Sequence, residues 1–208
     1  MKMQVGRSAL AAAAILLSSC GDREQPENEM SGDAAVNDVA ATNVVPDASP
    51  VTMPGATSRF TSVAEEDCRT VEETSEEGGF WRRRCPGVGD YAVETTEGDL
   101  RQNLALIGSD GARDSLDLGT LGSGFSEIGG TLEWRGPAGE PFRPRTLTLR
   151  FNLYRGMEAQ ERPTSYLAVA RLEGGAPCIV ARIAPGPQQS VEARRIADAE
   201  TLPGCLGR

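Results

Sequence analysis

The aromatic residues divide this chain into two unlike parts. All ten of them lie at Phe60 or beyond, whereas residues 21–58 contain none and include several prolines and acidic residues. A segment of that composition cannot bury enough apolar surface to offset the entropy of its chain, so we expect it to be disordered. The boundary is therefore predicted near Arg59, and residues 59–208 form the one domain that is long enough to bury a core.

The start of the chain has the pattern of a targeting signal. Two basic residues precede an apolar run at residues 9–17, which is too short to span a bilayer. The tetrapeptide Leu-Ser-Ser-Cys follows at residues 17–20. It resembles the lipobox of bacterial lipoprotein precursors, in which the peptide before the cysteine is cleaved and the cysteine is acylated. The resemblance implies a signal peptide at residues 1–19 and a membrane partner reached through lipid on Cys20.

Lipid on Cys20 would make residues 20–58 an acidic tether between a membrane and the domain. Each buried methylene contributes about 0.8 kcal/mol, and two or three acyl chains anchor a protein far more firmly than one. In lipoproteins of bacteria with two membranes, an Asp directly after the acylated cysteine tends to retain the protein at the inner membrane, and this chain has Gly21 there. We therefore expect a cell-envelope protein that faces the periplasm, in the outer membrane rather than the inner one.

Charge and composition exclude several classes of function. The chain has no histidine and a formal net charge of −9, and cleavage after residue 19 removes Lys2 and Arg7 as well. Binding to nucleic acid needs a clustered positive surface, so no nucleic-acid partner is expected. Without histidine, the usual general base and the Ser-His and Cys-His pairs are missing. We expect no catalytic residue, no metal and no cofactor.

Four cysteines remain once Cys20 carries lipid, and an even number in an exported chain predicts two disulfides. Three pairings are possible, and we favour the two local ones, Cys68 with Cys85 and Cys178 with Cys205. Each closes a loop of about 20 to 30 residues, which contributes about 3 kcal/mol in the loop-entropy account. The competing possibility, a four-thiolate metal site, lacks any CxxC spacing.

Apolar and polar residues of the domain alternate with a period of two, which is typical of β-strands. Glycine and proline pairs, among them Gly129-Gly130, break the pattern into hairpins. Residues 166–172 and 178–184 are apolar on both faces, as central strands are. Only residues 188–201 have a helical pattern. We predict a mainly β fold, an antiparallel barrel or sandwich of about eight strands with one C-terminal helix and two disulfides. The predicted strands are residues 60–63, 69–74, 80–84, 91–95, 100–107, 131–135, 146–153, 166–172 and 178–184.

Short motifs across the domain resemble small exported proteins of alphaproteobacteria that have no assigned function. The clearest are Cys-Pro-Gly at residues 85–87, Glu-Gly-Asp-Leu-Arg at 97–101 and Leu-Glu-Trp-Arg at 132–135. The resemblance implies export and a β domain, and it supplies no catalytic residue.

The run Trp81-Arg82-Arg83-Arg84 is the candidate for a binding surface. On a strand, Arg82 and Arg84 lie on one face, and Trp81 and Arg83 lie on the other. Guanidinium groups stack on aromatic rings and bind carboxylates or phosphates through paired hydrogen bonds. The run is therefore suited to contact another envelope protein or a cell-wall polymer. The alternative is that this strand pairs with the glutamate-rich segment 72–77, so that the charges neutralise each other across a hairpin.

The sequence predicts a lipid-anchored envelope protein whose β domain has a binding or structural role without catalysis, its precise activity unspecified. One alternative is an inhibitor of a cell-wall hydrolase, similar in setting to lysozyme inhibitors, which would insert the polar loop 108–124 into a cationic enzyme. The other is a histidine-free hydrolase that uses two carboxylates, for which Glu94, Asp99 and Glu133 are the candidates.

Overall fold

The computed structural model describes residues 53–76, 78–156 and 162–207, so the predicted signal peptide, Cys20 and most of the predicted tether lie outside the described residues. The described part is mainly β, as predicted, with one α-helix near its end. Its strands are β1 (Ala56–Ser62), β2 (Arg69–Thr74), β3 (Phe80–Cys85), β4 (Ala92–Gly98), β5 (Arg101–Ile107), β6 (Arg113–Ser115), β7 (Phe125–Pro137), β8 (Thr146–Tyr154), β9 (Thr164–Arg171) and β10 (Cys178–Ile183), and its helix is α1 (Gln189–Ala197). None of the described helices has the length and apolar content that crossing a membrane requires.

The described strands form one ten-stranded sheet that does not close into a barrel. Its order is β10-β9-β8-β7-β5-β4-β3-β2, with β1 on the other edge of β7 and β6 beside β5. Neighbouring strands are antiparallel except for β5 and β7, which meet at a single parallel pair, Arg101 and Ser126. The sheet thus has two limbs, which we call the β2–β6 limb and the β7–β10 limb, the latter including β1.

One hydrophobic core lies between the two limbs. Its buried side chains include Leu104 of β5 and Leu147 of β8, one from each limb. Trp134 of β7 is fully buried there, its ring stacked on Tyr91 with centroids 6.1 Å apart and its Nε1 donating to Thr61 Oγ1 at 2.9 Å. Apolar contact on one face and a satisfied N–H are what a buried tryptophan needs.

The helix covers the other face of the β7–β10 limb. Ala193 and Ala197 of α1 pack with Val169 and Val180 in a second, smaller core. This placement corrects the prediction for β10, which is an edge strand and not a central one. Its two apolar faces are explained by the main core on one side and the helix on the other.

Two further predictions need correction at the strand ends. β1 begins at Ala56, before the predicted strand start at residue 60, because its backbone pairing with β7 extends from Ala56 with Pro137 to Ser62 with Thr131. Gly129-Gly130 was predicted to end a hairpin, yet both residues lie within β7. The register of β7 against β8 shifts between Ile128 and Leu132, so a β-bulge takes up the two glycines.

The turn between β4 and β5 has an unusual backbone. Asp99 and Leu100 have φ values of 51° and 58°, where two-residue hairpin turns normally place asparagine and glycine. A leucine in this left-handed conformation costs about 1 kcal/mol. The Leu100 carbonyl accepts a hydrogen bond from the Ser126 backbone N–H at 3.0 Å, and so helps to join β5 to β7.

Both predicted disulfides are confirmed. Cys68–Cys85 joins the segment before β2 to the end of β3, and Cys178–Cys205 joins the start of β10 to the segment after α1. Beside the second bridge, the Leu206 backbone N–H donates to the Ile179 carbonyl at 2.8 Å. The C-terminal segment is therefore fixed to the β10 edge by one covalent bond and one hydrogen bond.

Replacing both members of either pair with alanine should lower the free energy of unfolding. The bridged residues are 17 and 27 positions apart, so we expect losses of about 3 and about 3.5 kcal/mol from the larger entropy of the unfolded chain. Urea denaturation of the two double variants against the parent measures both. Parent-like stability in both variants would contradict the expectation.

Candidate functional site

A cleft of about 310 Å³ opens where the two limbs separate, beyond the pair of Arg101 with Ser126. We call it the Trp81–Arg83 cleft. Side chains that line it come from β3, β4, β5, β7 and the segment after β1, and include Glu65, Trp81, Arg83, Thr95, Gln102 and Glu127. A concave site between diverging strands is a common place for ligand binding.

Gln102 holds the two strands together at the point where they diverge. Its Oε1 accepts the backbone N–H of Ile128 at 2.8 Å, and its Nε2 donates to Glu97 Oε2 at 2.9 Å. The side chain therefore supplies the acceptor that a neighbouring strand would otherwise give to Ile128. This bond sets one wall of the cleft.

Arg83 points into the cleft together with Trp81, as the alternation of the strand predicted. The guanidinium carbon of Arg83 lies 4.3 Å from the centroid of the Trp81 ring, a cation–π contact. Its Nη2 lies 2.9 Å from Glu65 Oε1. The side chain of Arg83 is only 13% exposed and that of Glu65 is 74% exposed. The Nε of Arg83 is buried and has no hydrogen-bond partner among the described residues.

Arg82 and Arg84 lie on the opposite face of β3, so the three arginines do not form one patch. Arg82 Nη2 pairs with Glu72 Oε2 at 2.9 Å across the β2–β3 hairpin, as the charge-neutralising alternative anticipated. Arg84 Nη2 pairs with Glu94 Oε2 at 3.2 Å. The structure thus brings Trp81 and Arg83 to the cleft and places the other two arginines in ion pairs elsewhere.

Glu94 is a buried carboxylate held by two arginines. It is 2% exposed, and Arg113 Nε donates to its Oε1 at 2.7 Å while Arg84 holds the other oxygen. Burial by itself would raise the pKa of Glu94, but the hydrogen bonds from Arg113 and Arg84 and the charges of Arg113 and Arg82 outweigh it, and the pKa lies below its ordinary value. Glu94 therefore stays ionised and ties β4 to β3 and β6.

Glu133 belongs to a second network, which joins β1, β7 and α1. Its carboxylate accepts Ser58 Oγ at 2.6 Å and Arg194 Nε at 2.9 Å, and it also pairs with Arg135. Burial would raise the pKa of Glu133, but the hydrogen bonds from Ser58 and Arg194 and the charge of Arg194 prevail and lower it. Arg135 in turn binds Asp198 through both edge nitrogens, Nε to Oδ1 at 2.6 Å and Nη2 to Oδ2 at 2.5 Å.

The carboxylates proposed for a hydrolase are held by separate sets of partners. Asp99 lies in the exposed β4–β5 turn and pairs with Arg101. A general acid needs a raised pKa, whereas the pKa values of Glu94 and Glu133 are lowered. Both side chains act as braces of the fold.

The loop proposed to enter an enzyme has leucines that pack into its own domain and polar residues that are exposed. Leu116, Leu118 and Leu121 are each 1% exposed or less and belong to the main core. Its exposed residues are 109–113, 115, 117, 119 and 123.

No sequence pattern predicts three of the residues that line the cleft. Glu65 follows β1, Gln102 lies on β5 and Glu127 lies on β7, so they meet only through the pairing of distant strands. Comparison of the chain with known protein families, curated proteins and solved structures gives no significant match. The role of the cleft therefore has to follow from its own residues.

Acid should weaken the fold through the two braced carboxylates. The ordinary pKa of a glutamate is about 4.5. Because the folded-state pKa of Glu94 and of Glu133 is lower, their contribution is complete above the ordinary value and is lost as the pH falls through the folded-state value. We expect the free energy of unfolding to fall as the pH is lowered from about 5 towards about 3.

The Glu94→Gln variant isolates one of these contributions. It leaves Arg84 and Arg113 without their anion, and since both are partly exposed we expect a loss of about 1–3 kcal/mol near neutral pH and a shallower acid slope. Urea denaturation across the pH range measures both, and Glu72→Gln, at an exposed ion pair, is the matched control. An unchanged slope would show that Glu94 does not contribute.

Proposed function

We propose that this chain is a lipoprotein of the bacterial cell envelope, anchored through acyl chains on Cys20, whose β domain binds a partner in the Trp81–Arg83 cleft without catalysing a reaction. The cleft carries this proposal. It is concave, its residues stand on paired strands, and it presents an aromatic ring and a largely buried cation together. Sites with this composition bind ligands with little rearrangement, because the side chains are already ordered.

The two disulfides support a location outside the cytosol. Disulfides persist in oxidising compartments such as the periplasm and are rare in the bacterial cytosol. Both bridges here fasten parts that strand pairing alone holds weakly, the exposed β2 strand and the C-terminal segment after α1. A domain with these bridges is suited to stay folded in an oxidising compartment outside the cytosol.

The ionisation of the buried carboxylates supports binding over catalysis. Glu94 and Glu133 are saturated with arginine and hydroxyl donors, so neither has a proton to give near neutral pH. Among the buried side-chain atoms of the described cleft, the Nε of Arg83 has no hydrogen-bond partner, and a guanidinium acts by binding anions.

The anchor is tested with the full chain expressed in a bacterium with two membranes. The parent should incorporate a clickable palmitate analogue, lose residues 1–19 and sediment with membranes, because acylation precedes cleavage at a lipobox. Cys20→Ser should lose the label and remain uncleaved, and the matched control Cys68→Ser/Cys85→Ser should keep the label. Label retained by Cys20→Ser, or an unlabelled parent, would contradict the anchor.

Binding in the cleft is tested by photo-crosslinking in intact cells. A photoreactive amino acid at position 127, on the rim of the cleft, should give covalent adducts with an envelope protein or a cell-wall fragment, which mass spectrometry identifies. The same amino acid at position 72, on the other face of the β2–β6 limb, is the matched control. The adducts should disappear with Trp81→Ala. Equal adducts from both positions, or adducts that survive Trp81→Ala, would overturn the cleft as the binding site.

A further inference from the structure

We infer that the Trp81–Arg83 cleft binds a carboxylate group, and that the Glu65 side chain holds the place of that group in the unliganded protein. The inference rests on the proposed function and names the chemistry of its ligand.

The first step is the hydrogen bonding of the Arg83 guanidinium. An arginine presents two parallel N–H groups along the edge formed by Nε and Nη2, and a carboxylate accepts both at once. Arg135 shows this complete arrangement with Asp198. At Arg83 the same edge is half used, because Nη2 pairs with Glu65 at 2.9 Å while Nε has no partner in the described chain. A ligand carboxylate can satisfy both donors.

The second step is the ease with which Glu65 can leave. It belongs to a short 3-10 turn, Glu65–Asp67, outside the sheet, and its side chain is 74% exposed. The carboxylate loses little when it returns to water, since an ion pair with an exposed partner contributes little to stability. Arg83, in contrast, is fixed by its stacking on Trp81 and by the pairing of β3 with strands on both sides. The ligand therefore meets a cation that is already positioned.

A comparison with Arg82 and Arg84 shows why a carboxylate ligand would bind at Arg83 and not at its neighbours. Arg82 and Arg84 also have an Nε without a described partner, but Arg82 is outside the lining of the cleft. Glu94, the partner of Arg84, is 3% exposed and held by Arg113 as well, so it cannot be displaced at small cost. Among the three arginines of β3, only Arg83 combines a half-used edge, a displaceable carboxylate partner and a place in the lining of the cleft.

The lining limits the ligand further. Thr95 and Gln102 provide neutral polar groups, and the volume of about 310 Å³ suits a body of one or two amino-acid or sugar units. Glu127, whose carboxylate accepts the Tyr154 hydroxyl at 3.0 Å, adds negative charge to the rim. A carboxylate alone fills only part of this volume, so the ligand should carry it on a neutral polar body. A free peptide C-terminus and a sugar acid share this chemistry.

The test uses the full-length protein purified in detergent, with calorimetric titration of two acid probes and their neutral amides. N-acetyl-alanyl-alanine is compared with its C-terminal amide, and glucuronic acid with glucuronamide. At least one acid should bind, and its amide should bind at least tenfold more weakly, because it accepts one hydrogen bond where the acid accepts two. Whichever acid binds more tightly identifies the source of the carboxylate.

Variants separate the inferred mechanism from a general effect of charge. Glu65→Gln should tighten binding of the acid about two- to fivefold, the factor expected when a competing surface ion pair is removed. Arg83→Lys keeps the charge but removes the paired donors and should weaken binding at least tenfold. Arg82→Lys, the same change on the opposite face, should leave binding within twofold of the parent, and melting temperatures verify that each variant is folded.

Several outcomes would overturn the inference. Weaker or unchanged binding by Glu65→Gln would show that Glu65 does not stand in for the ligand, and equal effects of Arg83→Lys and Arg82→Lys would show that the cleft is not the site. If neither acid binds to the parent or to Glu65→Gln while crosslinking at position 127 still gives adducts that depend on Trp81, the ligand class is wrong and the proposed function stands. If those adducts are absent as well, both fail.

Discussion

The narrow junction between β5 and β7 is the contact on which the rest of the structure depends. Elsewhere in the described part the strands form antiparallel ladders, but β5 and β7 pair at a single position, Arg101 with Ser126, beside the bond from the Ile128 N–H to the Gln102 side chain. A longer ladder here would keep the limbs in one layer. Because the ladder stops early, the limbs turn towards each other, enclose the core and leave the cleft at their point of divergence.

Ion pairs have different roles on the outer faces of the sheet and inside the cleft. On the outer faces, Glu94 and Glu133 are each surrounded by donors, which fixes β6 and α1 to the sheet. Arginine is suited to this role because its planar fork can serve a carboxylate and a neighbouring oxygen together. Inside the cleft, the pairing of Arg83 is incomplete. In the proposed function, the buried glutamates maintain the fold, and Arg83 receives the ligand because its partner Glu65 is exposed.

Local pattern predicts the strands that are bounded by clear turns, and it fails where distant contacts decide. The strand predicted at residues 69–74 is β2 with its observed ends. The alternation along β3 places Arg83 and Trp81 on one face. Gly129-Gly130 was misassigned because a bulge accepts the same residues as a turn. β6 has only three residues, too few for a period to be detected. Glu65 and Gln102 lie in the cleft because distant strands pair, and the pattern within one segment does not predict that pairing.

The turn at Asp99 and Leu100 has a consequence for how such a domain can diversify. Its carbonyl and the Ser126 amide that meets it are backbone groups, present whatever side chains those positions carry. The junction between the limbs therefore rests on backbone groups and, among the residues that line the opening, on the Gln102 side chain that accepts the Ile128 N–H. Substitution of the other lining residues should therefore change the chemistry of the cavity more than the angle at which the two limbs meet.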